Sequence, residues 1–408
     1  LTRMIIFLSV FTSLIAAGYF YIGRSLIQSL QLDSTSSFCL WLLIAFLVFS
    51  IPISYYASHS VNHARIQSAL SFVAFLSLGF FTILLTMIVV MDLVFSIWKL
   101  LNFIPLIAAI DLNSQFSKIF GDLVRVVGLN WNTNDPFLGQ LVLTLFFLFV
   151  TAILTIWGMF QATTRIKTVN VEVSATQHHK DLKGFKIVQI SDVHIGPTIK
   201  RPFLQHVVNR INNMNPDIVV ITGDLVDGPA SQFKDHLLPL ADLKSKYGTF
   251  FVTGNHEYYS GVLTWIQIIK NLGISVLLNE NTIINHNSAK IALGGVTDLK
   301  AGSILPQHAT NPHASIQGGE DADYKILLAH QPNSILEASK VGYDLQLSGH
   351  THGGQYFPGN LIIYLVQKFV AGLHVYNKTT LYVSRGTGYW GPPLRIGAPS
   401  EITSIVLK

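Results

Sequence analysis

A single cysteine, Cys39, stands in 408 residues, and it lies inside an apolar run. That leaves no disulfide framework, and the C-terminal part, with no cysteine at all, cannot use a thiol nucleophile. Charge is also scarce: Asp, Glu, Lys and Arg make up 12% of the chain, against about 25% in ordinary globular proteins. The pI near 9.1 reflects a net charge of only +5, and the basic residues are scattered. Without a Lys/Arg run or interleaved aromatics, nothing tracks a phosphate backbone, so no nucleic acid is expected. Anionic lipid headgroups suit such charges better. There is no internal repeat and no low-complexity tract.

The missing charge is missing mainly before residue 161. Apolar runs at 4–23, 37–57, 69–98 and 137–160 each reach the roughly 20 residues a bilayer core requires, predicting a multi-pass region of four transmembrane helices over 1–160. The third run is long enough to tilt. The first lacks a strong basic start and a clear cleavage site, and is read as a retained anchor rather than a signal peptide. Between the third and fourth, FIPLIAAI is too short to span. SQFSKIFGDLVRVVG, with Lys118 and Arg125, reads equally as an interfacial helix or an ordinary loop helix. Arg3, Arg65, Arg165 and Lys167 balance Arg24, Lys99, Lys118 and Arg125, so the positive-inside rule assigns no orientation. The runs hold almost no charge to line a path, which argues against a transporter or channel.

After a short linker at 161–167, residues 168–408 are different material. Strand-like segments alternate first with helical ones (201–214, 232–246, 258–272, 332–340) and then follow one another more closely. That pattern predicts an α/β fold, a layered sandwich of two mixed β-sheets flanked by helices. Five strand-like runs are each followed by a polar motif: Asp192-Val-His194, Gly223-Asp224-Leu-Val-Asp227, Gly254-Asn255-His256-Glu257, the lone His330, and Gly349-His350-Thr-His352-Gly-Gly. Side-chain direction repeats every second residue of a strand, so Asp-x-His and His-x-His each aim two side chains the same way. Ligand sites in open α/β sheets collect at the carboxyl ends of strands, where all five motifs sit. Gly223, Gly254 and Gly349 are expected to let the backbone turn there. Carboxylate, imidazole and amide oxygen together suit two divalent cations, Mn, Fe or Zn rather than Mg or Ca alone. Singly, His330 reads as a core histidine, Asp227 as a turn or cap residue and Gly-Asn-His as a plain turn. Five such motifs in order read as a catalytic metal centre.

The ordered set Asp-x-His, Gly-Asp-x-x-Asp, Gly-Asn-His-Glu, His, Gly-His-x-His resembles the calcineurin-like metallophosphoesterase superfamily. The stretches Asn-His-Glu-Tyr-Tyr-Ser-Gly, Gly-His-Thr-His-Gly-Gly-Gln and Arg385-Gly-Thr-Gly to Pro393-Leu394-Arg395 are similar to its membrane-associated bacterial branch. The resemblance covers roughly the last 230 residues. It implies the same layered sandwich, with Asp192, His194 and His352 on a first metal, Asp224 bridging, and Asn255, His330 and His350 completing a second. It further implies that His256 faces the substrate, oriented by Asp227. Phosphoprotein phosphatases carry Arg after that second acid; Gly228 stands here, which weakens that assignment. The implied activity is a membrane-anchored phosphohydrolase acting on a phosphodiester, phosphomonoester or pyrophosphate of lipid or envelope origin in a bacterial cell membrane. A UDP-2,3-diacylglucosamine pyrophosphatase is its chemical rival, and a non-catalytic metal-binding scaffold the rival of another class.

Several residues stay outside this set. His178, His179, His308 and His313 read as loop positions. His374 follows the last motif and is expected as a substrate contact, and Asp298 as either a cleft or a turn residue. Leu361, Ile362, Leu365, Val366, Phe369 and Val370 recur at helical spacing directly after the final motif. They form either a core-packed helix or an apolar lip contacting bilayer or an acyl chain.

Overall fold

The computed structural model describes residues 2–60, 64–101, 136–175, 177 and 179–408. The segment read as either an interfacial or a loop helix lies outside them, as does His178. By density of contacts the chain divides into two units, 1–56 with 73–156, and 57–72 with 157–408.

The first unit is helical. Helices Thr2–Leu30, Ser34–Ser60, Ala64–Leu101 and Pro136–Thr164 carry the four apolar runs. Among the described residues, Ser34–Ser54, Arg65–Leu93 and Leu141–Thr164 are long and apolar enough to cross a membrane, yet only 22% to 33% of each stretch is buried within the protein. Phe38, Leu42, Phe46, Phe49 and Ile53 recur every three or four residues on helix Ser34–Ser60, and all are exposed. Such a stripe is a liability in water and the normal surface of a helix in lipid. Ile22, Leu26, Leu84 and Ile88 pack together inward, with Leu148 against them.

The second unit holds twelve strands: β1 Lys167–Val173, β2 Lys186–Ile190, β3 Ile218–Thr222, β4 Thr249–Val252, β5 Ser275–Val276, β6 Glu280–His286, β7 Ala289–Gly295, β8 Tyr324–Leu328, β9 Leu345–Ser348, β10 Gly372–Tyr376, β11 Thr379–Val383 and β12 Glu401–Leu407. They form two six-stranded sheets, in the orders β1-β12-β2-β3-β4-β5 and β10-β11-β9-β8-β7-β6. Both are mixed. β2 to β5 run parallel while β12 opposes β2, and β7, β8, β9 and β11 run parallel between antiparallel β6 and β10.

Strand alternation builds the layers. Ile187, Ile218, Val220, Phe250 and Val252 meet Ile291, Leu293, Ile326, Leu328, Leu345 and Leu347 between the sheets. Val188, Ile190, Val219, Ile221 and Phe251 point the other way, against Leu204, Val207, Val208, Trp265 and Ile269. A sheet buried on both faces needs near-continuous apolar strands, which explains runs such as Ile218-Val-Val-Ile. Gln189 is a buried exception: its Nε2 donates to Thr222 Oγ1 and Ser348 O, both at 2.9 Å, stitching β2 to β3 and to the other sheet. The carboxyl ends of β2, β3, β4, β8 and β9 therefore open onto one place.

Some elements differ from expectation. The helix expected at 232–246 is a short turn, Ala230–Phe233, followed by a 3₁₀ segment, Lys234–Asp242, containing Pro239, which lacks the N–H that an α-helix needs. The helix expected at 258–272 begins at Asn255 and is interrupted at Gly261, whose φ is +91°. β10, not foreseen as a strand, forms a hairpin with β11. The stretch read as a linker is helical to Thr164 and enters β1 at Lys167, with Ala162 and Ile166 buried in the core beside the first sheet. Helix Gly359–Val366 has no buried residue, whereas Phe369 and Val370, beyond its end, are buried.

Candidate metal centre

Two groups of potential ligands converge at the strand ends: Asp192, His194 and His352, and Asp224, His330 and His350. In the first, His194 Nε2 lies 3.0 Å from His352 Nε2, which is 3.4 Å from Asp192 Oδ1. In the second, His330 Nε2 lies 3.1 Å from Asp224 Oδ2 and 3.2 Å from His350 Nδ1. Asp224 Oδ2 faces both groups, standing 3.9 Å from His194 Nε2 as well. Asn255 is buried beside them on the β4 turn, and its Oδ1 has no hydrogen-bond partner. An amide oxygen without a partner and four imidazoles with nitrogens turned inward, beside two buried carboxylates, make up a set that divalent cations satisfy. The donor set therefore fits divalent metal.

Protonation supports the fit. Burial, aided by the neighbouring His256, pushes His194 down to about 3. Burial and the adjacent His330 take His350 down to about 4. Burial and Arg395 hold His352 well below its ordinary value. These three rings are neutral. For His330, burial opposes protonation but the Asp224 carboxylate outweighs it, raising the ring well above the ordinary value. A cation there would displace that proton. His330 Nδ1 lies 2.8 Å from Thr222 O and donates to it, which turns Nε2 toward the cluster.

The site is held under backbone strain. Asp192, His194, Asp224, His350 and His352 all have positive φ, between 49° and 73°, where non-glycine residues are rare. Each such residue costs about 1–3 kcal/mol, and strain of this kind clusters at functional sites. Of the three glycines expected to turn the chain, Gly223 does so, with φ +84°. Gly254 and Gly349 are needed for room instead: an added Cβ would stand 2.2 Å from Asp224 Oδ1 and 2.2 Å from Asp192 Oδ2, respectively.

Two positioning residues were not assigned a role from the sequence. Glu257, fully buried, accepts from the backbone N–H groups of Gly254 at 2.6 Å, Asp224 at 3.0 Å, Leu225 at 2.8 Å and Val226 at 3.2 Å. Burial and the Asp224 charge push its carboxyl up to about 7. Its place as the fourth letter of Gly-Asn-His-Glu was the available signal, since Glu three residues past a helix cap reaches back to backbone N–H groups. Arg395, also buried, donates through Nη2 to His352 Nδ1 at 3.0 Å and through Nη1 to His352 O at 2.9 Å. It belongs to Pro393-Leu394-Arg395, one of the stretches similar to the membrane-associated branch, but nothing local points to His352.

His256 Nδ1 lies 3.0 Å from Asp227 Oδ1, and its Nε2 is 4.0 Å from Asp224 Oδ2. Burial opposes its charge, but Asp224 and Asp227 together hold the imidazole up at about 9. The rings of Tyr259 and Trp390, both exposed, stand 5.4 Å and 5.6 Å away. They form an aromatic rim that the sequence reading did not foresee.

The other histidines go elsewhere. His374 lies on edge strand β10, its Nε2 3.1 Å from Ala371 O and its ring against Phe369, and it joins neither ligand group. His179 Nδ1 accepts from Asp181 N, and His308 Nδ1 lies 2.9 Å from the Tyr258 hydroxyl. Asp298 is buried and does two things, receiving both its turn partner Lys300 N at 2.7 Å and Gln331 Nε2 at 2.9 Å.

The model of the calcineurin-like phosphoesterase family matches residues 185–354. A bovine transmembrane protein with metallophosphoesterase domain is 33% identical over 410 residues, covering 97% of this chain and 87% of its own length. A zebrafish protein of the same description is 38% identical over 273 residues, 65% of this chain and 62% of that protein. A metallophosphoesterase of Campylobacter jejuni is 39% identical over 248 residues, 60% of this chain and 64% of its own. The chain thus spans less than two thirds of the zebrafish and Campylobacter relatives.

The Glu257 arrangement generates a test. Glu257→Gln keeps one acceptor but turns an NH₂ group toward backbone donors, which should lower stability by roughly 2–4 kcal/mol. It should also reduce metal retention by loosening the turn that carries Asp224. A thermal midpoint and metal content both equal to the parent's would show that Glu257 does not position the site.

Proposed function

Because the chain belongs to the calcineurin-like metallophosphoesterase family, we propose that it is a multi-pass membrane phosphohydrolase that uses two divalent cations, Mn, Fe or Zn, to cleave the phosphate ester or pyrophosphate of a lipid substrate. The observation that carries this reading is the paired ligand groups with Asp224 facing both. Asp192, His194 and His352 would hold one cation, Asn255, His330 and His350 the other, and the Asp224 carboxylate would serve both. Bound there, the cations neutralise charge on the phosphoryl oxygens and lower the pKa of the attacking water.

The chain's own residues supply the rest. Asp227 fixes the His256 ring through Nδ1, leaving the opposite nitrogen toward the cluster. So oriented, His256 can deliver a proton from Nε2 to the leaving oxygen. The cluster's positive field can anchor the phosphate without the arginine that protein phosphatases place at position 228. A purely scaffolding protein would have no use for a histidine oriented by a carboxylate beside a complete ligand set, so the catalytic reading is the stronger one.

Two measurements test this. Purified full-length protein should hydrolyse bis-nitrophenyl phosphate when supplied with Mn, and Asp224→Asn should abolish that activity together with metal binding; near-normal turnover with full metal content would sink the shared-carboxylate assignment. His256→Ala should keep its metal yet slow turnover by about 10²–10⁴. That deficit should shrink for esters whose leaving group is a weak base. An equal deficit across leaving groups would make His256 a phosphate-positioning residue instead of an acid.

A further inference from the structure

Helix Gly359–Val366 begins seven residues after His352 and presents Leu361, Ile362, Tyr364, Leu365 and Val366 outward, Leu365 at 84% exposure. Leu373, Val375 and Trp390 are exposed too. An apolar surface of this kind, unpaired within its own unit, belongs against something apolar. What covers it follows from how the helix is tied down.

The loop 390–397 is bonded at both ends. At one end, Trp390 stands against His256 at the mouth of the site, and its backbone N–H donates to Gln355 Oε1 at 2.9 Å. At the other, Arg395 N donates to Gly158 O at 2.9 Å, and a Cβ on Gly158 would come within 2.9 Å of Ile396 Cγ1. Gly158 lies inside Leu141–Thr164, the last stretch apolar enough to cross a membrane. The exposed helix is bonded to the same loop, through Asn360 Nδ2 to Ile396 O at 3.3 Å. One short loop therefore links the mouth of the metal centre, the apolar helix and the end of a membrane span.

The chemistry at that end of the span is interfacial. Trp157 and Phe160 are exposed there, and the Arg165 guanidinium lies 5.2 Å over the Phe160 ring. A cavity of about 560 Å³ opens beside them, lined by Trp157, Gln161, Thr164, Arg165 and Lys167 among others, with no carboxylate. Aromatic rings followed by cations mark the level at which a chain leaves the acyl region for the anionic headgroups.

We propose that helix Gly359–Val366 is seated in the bilayer at the boundary of headgroups and acyl chains and holds the mouth of the metal centre against the phosphate of a membrane lipid. The seating explains why five apolar side chains face outward on a helix that buries none. The lipid specificity rests on the phosphohydrolase reading; the seating does not.

The test uses the full chain with Cys39→Ser, carrying Leu365→Cys or, as a control, Lys270→Cys, each labelled with a polarity-sensitive fluorophore and placed in phosphatidylglycerol/phosphatidylcholine nanodiscs. The Leu365 label should be quenched by lipids bearing a nitroxide near the top of the acyl chain, and the Lys270 label should not. A water-like, unquenched Leu365 label would overturn the seating. So would disulfide formation between unlabelled Leu365→Cys copies, together with an unquenched label on the labelled ones, which would make the face a self-association surface. A second variant, Leu361→Ser with Leu365→Ser, alters only exposed side chains and should melt as the parent does. It should hydrolyse bis-nitrophenyl phosphate within twofold of the parent but lose at least tenfold on hexadecyl 4-nitrophenyl phosphate carried in the nanodisc. Equal turnover of both by parent and variant would overturn the lipid specificity. A parent inactive on both would count against the phosphohydrolase reading, and quenching alone would then decide the seating.

Discussion

The Asp224 carboxylate is where the strand-end motifs meet. Its Oδ1 accepts from His256 N at 2.9 Å, while Oδ2 stands 3.1 Å from His330 Nε2 and within 4.0 Å of His194 and His256. Burial alone would raise its pKa, yet the surrounding imidazoles of His330 and His256 hold it well below the ordinary carboxylate range. A fully desolvated charge persists only when paired, and much of the neighbouring structure keeps that pairing in register. Glu257 pins the backbone on both sides of Asp224, and Gly254 makes room for it. Thr222 O orients His330, and Gln189 joins β2 and β3 to the second sheet just beneath. The strained backbone at five candidate ligands is the cost of that convergence, and the two-sided apolar core supplies the stability that supports it.

The ligand chemistry was legible because it is local. An apolar run before each motif says where in the sheet it falls, and the two sheets were legible for the same reason. Asp192, His194, His350 and His352, however, lie past the ends of β2 and β9 with positive φ, so strand alternation does not aim them, and His350 and His352 fall in different groups. What escaped depends on distant contacts. Arg395 is recognisable only once the fold brings it to His352, and Trp390 only when it reaches His256. The 3₁₀ stretch at 234–242 escaped because apolar spacing outweighed Pro239 in the reading, and β10 because a short edge strand followed by Asn377-Lys378 resembles a loop. His374 looked suggestive by position in the chain, whereas the hairpin places it on a sheet edge, bonded to Ala371. The apolar stretch 361–370 was readable as a helix, with core and lip both open, and each half takes one of them: the first half is exposed on Gly359–Val366, while Phe369 and Val370 turn into the core.

Within the second unit, the entry into the first sheet is packed. Helix Pro136–Thr164 ends with Ala162 in the core beside the first sheet, Ile166 follows it there, and β1 begins at Lys167. Arg210 extends the join by donating to Thr168 Oγ1 at 2.7 Å.

The central claim is that the converging side chains hold two cations in distinct, adjacent places. Anomalous diffraction from crystals of the full chain grown with Mn, collected above and below the metal edge, tests it most directly. The account predicts two peaks per chain, one among Asp192, His194 and His352 and one among Asn255, His330 and His350, each within coordination distance of Asp224. A single peak, or density at neither group with Mn in excess, would contradict it.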